Sequence, residues 1–240
     1  MQDLIKMTTD EFIKIVNGDY IDNPEYKKYY DKEDSKIVVQ NVILDEHIPF
    51  NSEIKPFFKS VWIWNSIIRS VAFAFLELDL WIEFNGVKFI ENVMFINKLK
   101  PRFSFDDCDF HFDIRFVDVE SEEITFSECK IRYVAFFNGK VERLVFSDTI
   151  FSRYSFFRNI DCSSFVVYNS TFKTLEFSKV SGKSFEISTS KGVELQFNST
   201  FSKDILFQIS DVNVVNILYN SFINLGAFYF TGASEYKKRN

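Results

Sequence analysis

The chain has 240 residues, 28 lysines and arginines against 34 aspartates and glutamates, and a formal net charge of −6. Its 31 phenylalanines with only 7 glycines and 4 prolines exclude a disordered or linker-rich chain, and folds that cradle phosphate in glycine-rich loops. With two histidines, His47 and His111, most histidine-based catalysis is excluded as well.

The first nine residues carry Asp3 and no apolar core, so no secretory leader is expected and the expected location is cytoplasmic. Thr9 as N-cap, Asp10 and Glu11 in the first turn and Gly18 as stop predict a short helix. Its apolar face of Phe12, Ile15 and Val16 is expected to cover an open end of the fold. Residues 19–36 are charged and tyrosine-rich and read as a loop, so residues 1–40 form a capping segment. The most apolar stretch, Val61 to Phe84, is broken by Asn65, Arg69, Glu77, Asp79 and Glu83 and does not read as a membrane span. Cys108, Cys129 and Cys162 are odd in number and widely spaced, which suits a reducing compartment.

A repeat organises the rest. Apolar-x-apolar triplets recur as Ile48/Phe50, Val61/Ile63, Val71/Phe73, Ile82/Phe84, Val93/Phe95, Phe103/Phe105 and Ile114/Phe116, mostly ten or eleven residues apart. The phase then tightens to ten: Ile124/Phe126, Val134/Phe136, Leu144/Phe146, Tyr154/Phe156, then Phe165/Val167 after one extra residue. It continues through Leu175/Phe177, Phe185/Ile187, Leu195/Phe197, Ile205/Phe207, Val215/Ile217 and Leu225/Ala227. Weaker centres lie midway at Ile131, Val141, Phe151, Phe172, Val212 and Phe222. Two residues before such midpoints the chain is small: Cys129, Gly139, Thr149, Ser170, Ser190, Thr200, Ser210. The unit is five residues, and four units make a coil of about 20–21. A short strand puts residues i−2 and i on one face, and coils stacked at the strand spacing align those side chains in columns. A β-sandwich would not hold one phase for so long. The reading is an all-β solenoid of about nine coils over residues 41–230, with residues 231–240 as a polar tail.

In runs such as Ser170-Thr171-Phe172-Lys173-Thr174-Leu175-Glu176-Phe177 the chain resembles the pentapeptide-repeat family. The resemblance implies a right-handed quadrilateral β-helix. It departs from the family pattern where i−2 is large and where centres fall on Asp161, Gly182, Gly192 and Ser202.

No glycine-rich nucleotide loop, zinc-protease, CxxC or nucleophile-elbow motif occurs, so neither an enzyme nor a cofactor or metal is expected. Charge says more. Residues 1–120 hold 22 acids and 14 bases, and the densest block is Asp106, Asp107, Asp109, Asp113, Asp118, Glu120, Glu122 and Glu123. It reads either as a solvated face or as an acidic patch for a basic partner surface. A second candidate interface is an apolar strip at outward positions Trp62, Val145, Val166 and Leu206, or these are ordinary exposed strand residues. The last coil, with Phe222, Phe228 and Phe230, needs a cover. Some members of the resembled family pair through this end, so the resemblance favours a homodimer. Other members inhibit or protect DNA gyrase by imitating duplex DNA. It therefore implies a non-catalytic binding protein, an inhibitor or decoy of a nucleic-acid enzyme such as a gyrase or a CRISPR effector. The alternatives are a scaffold module and a carbohydrate-active β-helix. The near-neutral second half argues against direct nucleic-acid binding.

Overall fold

Strands whose apolar residues sit two apart cannot bury one face alone, and here they stack in parallel on the strands of the next coil. The computed structural model describes residues 4–76, 79–99 and 101–198, and the backbone of three further strands at 206–210, 213–219 and 227–231. In chain order the elements are β1 (Ile5–Met7), α1 (Thr9–Asn17), a 3-10 turn (Lys27–Tyr29), β2 (Tyr30–Asp31), β3 (Lys36–Gln40), β4 (Val42–Phe50) and β5 (Ser60–Trp64). Then follow β6 (Ile67–Leu76), β7 (Trp81–Asn85), β8 (Lys88–Phe89), β9 (Val93–Leu99) and β10 (Arg102–Asp106). From there each strand bends round corners: β11 (Asp109–Ser127), β12 (Lys130–Ser147), β13 (Ile150–Tyr168) and β14 (Thr171–Ser188). The chain ends in β15 (Lys191–Asn198), β16 (Leu206–Ser210), β17 (Asn213–Tyr219) and β18 (Ala227–Thr231).

The result is a β-solenoid of parallel coils with four sides. On side one Val61, Ile82, Phe103, Ile124, Leu144, Phe165 and Phe185 pair in succession, at steps of 21, 21, 21, 20, 21 and 20 residues. The ladder opens one rung earlier than the sequence suggested, at Ile37 and Val39 of β3, inside the segment assigned to capping. Side three carries the main column of the core. Phe50, Phe73, Phe95, Phe116, Phe136, Phe157, Phe177 and Phe197 follow one another on successive coils, all buried. Phe95 and Phe116 stack at 4.6 Å and Phe116 and Phe136 at 4.9 Å, close to the roughly 4.8 Å that separates strands. The strand ladder thus sets the ring spacing, and each ring pair adds about 0.5–1.5 kcal/mol beyond its burial.

Corners need a left-handed residue, which asparagine and aspartate tolerate better than most. Corner one uses Asn41, Asn65, Gly86, Asp107, Glu128, Asp148 and Asn169, with φ from 45° to 62°. Corner three uses Asn97, Asp118, Asn138, Asn159 and Lys179. Their amides form ladders along the rod: Asn138 Nδ2 donates to Asp118 Oδ1 at 3.0 Å and Asn159 Nδ2 to Asn138 Oδ1 at 2.7 Å.

The N-terminal end is closed as expected. Phe12, Ile15 and Val16 are fully buried, and the Phe12 ring meets Phe50 edge-on at 6.4 Å. The cap is Thr8 rather than Thr9: the Thr8 hydroxyl accepts from the Glu11 amide at 3.1 Å, and Thr9 Oγ1 donates to the His47 carbonyl. Gly18 ends the helix at φ 84°. A strand not anticipated, β1, pairs in parallel with β4 and covers its edge. Residues 19–36 are not all loop, since β2 folds back antiparallel on β3.

Three register expectations are corrected. The inward pair on β13 is Ser155 and Phe157, not Tyr154 and Phe156. The extra residue sits before this pair, at the register shift between Phe151 and Tyr154, because adjacent phenylalanines leave the phase undecided. On side four Ile160 and Cys162 point inward, so Asp161 is not a centre. Beyond Phe197 the ladder aligns Phe207 and Ile209, Ile217 and Tyr219, and Phe228 and Phe230 with the preceding coils, two or three residues later than the ten-residue phase placed them. A two-residue slip keeps the same residues on the same face, so alternation alone does not reveal it. Gly182 and Gly192 do occupy inward positions: a Cβ on Gly182 would stand 1.7 Å from the Cys162 carbonyl oxygen, and one on Gly192 1.9 Å from the Phe172 ring.

Candidate functional site on the outer wall of side three

Outward residues of a solenoid wall are normally solvated. On side three one group is not. The outward column there runs Ala72, Met94, Arg115, Ala135, Phe156, Glu176 and Gln196. Phe156 is 6% exposed and Glu176 7% exposed, although both point away from the core. Phe156 is covered by rings from its own and the neighbouring coil: Phe137 at 4.6 Å, Tyr133 at 5.8 Å and Tyr154 at 6.1 Å, with the Arg158 guanidinium 4.7 Å above it.

The polar groups close over this ring cluster. Tyr154 donates its hydroxyl to Glu176 Oε2, and Arg158 donates Nη2 and Nε to Glu176 Oε1 at 3.0 and 3.3 Å. Burial, reinforced by the Glu176 carboxylate, pushes the Tyr154 phenol up to about 12. Burial works against the Arg158 charge, but Glu176 more than offsets it and its pKa rises. Both carboxylate oxygens are engaged, and Glu176 ties Tyr154 and Arg158 together over the rings. Beside the cluster a cleft of about 470 Å³ opens over Ala135, lined also by Met94, Asp113, Arg115, Val117, Tyr133, Phe137 and Arg153.

No family model, curated protein or solved structure matches the chain.

The acidic block is placed quite differently from a patch. Asp106 and Asp107 stand at corner one, Asp109 on side two, Asp113 at corner two, Asp118 at corner three, Glu120 on side four, and Glu122 and Glu123 at corner four. A run from 106 to 123 inside a 21-residue coil girdles the rod, so its charges face all directions. Most are also engaged: Asp109 with His111, Asp113 with Arg115, Glu122 with Arg102 and Glu123 with Arg143, while Asp106 and Asp118 accept from Asn85 and Asn138. What the fold assembles instead is a line at corner one, where exposed Asp107, Glu128 and Asp148 share one column on successive coils.

The apolar strip is likewise shorter than expected. Val145 and Val166 are direct neighbours, but Glu83, Ser104 and Thr125 separate them from Trp62. Trp62 packs on Trp64 at 5.2 Å, beneath the Lys36 ammonium at 4.2 Å. Leu206 pairs with Ser184 and so belongs to another column. Phe222 lies outside the described residues, and of Phe228 and Phe230 only the backbone register is described.

Other chemistry-bearing groups are committed to structure. Cys108, Cys129 and Cys162 are free and buried. Burial pushes the Cys162 thiol up to about 12 and Cys108 well above its ordinary value, which suppresses thiolate formation. His47 Nδ1 meets Ser70 Oγ at 2.9 Å. Among the described residues no group of three or more His, Cys, Asp or Glu is placed to hold a metal ion, and no helix is long and apolar enough to cross a membrane.

Sequence reasoning missed the side-three cluster. Its one local signal was the Tyr154-Ser155-Phe156-Phe157 run, where a small residue sits among large ones and marks the inward position.

Proposed function

We propose that the protein is a non-catalytic binding module, a stiff rod that holds a partner protein against the outer wall of side three. The observation that carries this reading is the buried Phe156–Glu176 pair under Tyr133, Phe137, Tyr154 and Arg158. Tyrosine, arginine and large apolar rings, held in place by the Arg158–Glu176 ion pair, are the make-up of a binding hot spot. The wall beneath is a hydrogen-bonded ladder, so the site is held rigid before binding. The test is affinity capture from host lysate with nuclease treatment, comparing the native protein with Tyr133→Ala/Phe137→Ala. A protein retained through nuclease and lost with the variant is the expected result. Equal capture by both would remove side three as the interface.

A second reading has its own observation in the corner-one line of Asp107, Glu128 and Asp148. Evenly spaced carboxylates along a rigid edge suit a basic surface of the kind a nucleic-acid enzyme presents, as the pentapeptide-like pattern implies. Inhibition of such an enzyme that survives reversal of all three charges to lysine would count against it.

A further inference from the structure

We infer that the partner segment received on side three is extended and acidic, an inference that rests on the binding-module reading above. Arg153 and Lys173 immediately precede Tyr154 and Thr174, which pair across β13 and β14, and Arg132, one coil earlier, immediately precedes Tyr133, which lines the cleft together with Arg153. All three therefore stand where the chain enters side three on successive coils, whose strands are about 4.8 Å apart. None has a carboxylate partner among the described residues. Arg132 donates instead to the His111 carbonyl at 3.2 Å and lies over the Phe112 ring, itself 46% exposed. The arginines round about are neutralised: Arg102, Arg115, Arg143 and Arg158 each hold an ion pair. The stripe is thus an uncompensated positive edge directly beside the cleft.

The cleft sets the second half of the recognition. Ala135 lies between Arg115 and Phe156 on adjacent coils, and its methyl group leaves room that a larger side chain would fill. Phe137, 37% exposed, forms one wall, and Arg153 joins the cleft to the stripe. One apolar or aromatic side chain fits, with carboxylates on the stripe next to it. The wall strands are paired above and below, so no backbone edge is free and recognition runs through side chains. Same-face residues of an extended chain repeat at about 6.6–7 Å, so two or three carboxylates span the stripe.

Nucleic acid suits the surface less well. Three cations release about three counterions, and such binding fades at physiological salt. The carboxylates of corner one, one side away, repel a long polyanion further. A short acidic segment asks for no more than the stripe provides.

The test uses the full chain and three fluorescein-labelled probes in anisotropy titrations at physiological salt. These are a twelve-residue peptide of alternating acids with one central Phe, its Asn/Gln counterpart, and a twelve-nucleotide thymidine strand. The acidic peptide is expected to bind, and Arg153→Glu/Lys173→Glu to weaken it by about tenfold or more. Lys140→Glu/Lys183→Glu, with the same charge change on another side, is expected to leave it unchanged. No binding of the acidic peptide, equal loss with both variants, or tighter binding of the thymidine strand would overturn the inference, as would concentration-dependent self-association blocked by the same Arg153/Lys173 variant. Peptide failure alongside a lysate protein lost with Tyr133→Ala/Phe137→Ala would overturn only the acidic chemistry. Failure of both would take the binding-module reading with it.

Discussion

Ser170 illustrates how single side chains hold the corners. Cys108, Cys129, Thr149, Ser170 and Ser190 stand where the chain leaves corner one, all buried. Each donates to the carbonyl two residues back, Thr149 to Ser147 at 2.9 Å, Ser170 to Tyr168 and Ser190 to Ser188 at 2.8 Å. Ser170 Oγ also accepts from the Thr149 amide at 3.1 Å. Small size was readable from the sequence; the hydrogen-bonding duty was not, because the accepted amide comes from another coil. Ser170→Ala strands a buried amide and is expected to cost about 1–3 kcal/mol in urea unfolding, more than Ser170→Cys. A loss below about 0.5 kcal/mol would show that water replaces the hydroxyl. Tyr154 offers a pH test. Its folded pKa, pushed up to about 12, exceeds the roughly 10 of an unfolded tyrosine. Its stabilisation is therefore complete below about pH 10 and is lost as pH rises towards 12. Tyr154→Phe should flatten the fall in melting temperature across that window; an unchanged slope would assign the fall to other groups.

At the scale of elements, α1 acts as a lid on the first coil. An apolar helix face was visible at spacing Phe12, Ile15, Val16, and its destination followed from the need to cover an open coil. The contact of Phe12 with Phe50 makes the helix the end-stop of the phenylalanine column. Phe12→Ala is expected to cost about 3–5 kcal/mol locally and to speed amide exchange in β4 and β6 before β13. Uniform acceleration through all coils would mean that the rod unfolds as one unit. The later register slips belong to this scale too. Phase counting found the inward pairs wherever one large residue was flanked by smaller or polar ones. It failed at Phe156-Phe157, where two equal residues compete and only pairing with Ala135 and Phe136 decides.

Seen whole, the molecule is additive in coils. Phe103 pairs with Ile124 and Ser104 with Thr125, so removing Ser104–Ile124 joins one complete coil to the next in register. That deletion is expected to yield a soluble β-rich protein with one cooperative transition at lower temperature, although it removes the whole acidic girdle. Deleting Ser104–Asp113 would place side three over side one and is expected to abolish cooperative unfolding by circular dichroism. If both deletions behaved alike, register would not govern the fold. The same geometry explains the failed patch: charges close in sequence are spread round the rod, and charges close in space come from residues about 20 apart.

The coil length, the inward pairs up to Phe197 other than that of β13, the helical lid and the small residues at the corner were legible in the sequence, because these follow from local periods of two, five and twenty. Which outward residues meet is set by the stacked coils: Tyr154, Arg158 and Glu176 over Phe156, Arg132, Arg153 and Lys173 at the entry to side three, and the carboxylate line of corner one. The reason is that outward residues carry no packing constraint within their own strand. Their neighbours are set by the stacking register, and one extra residue at one corner reassigns them all.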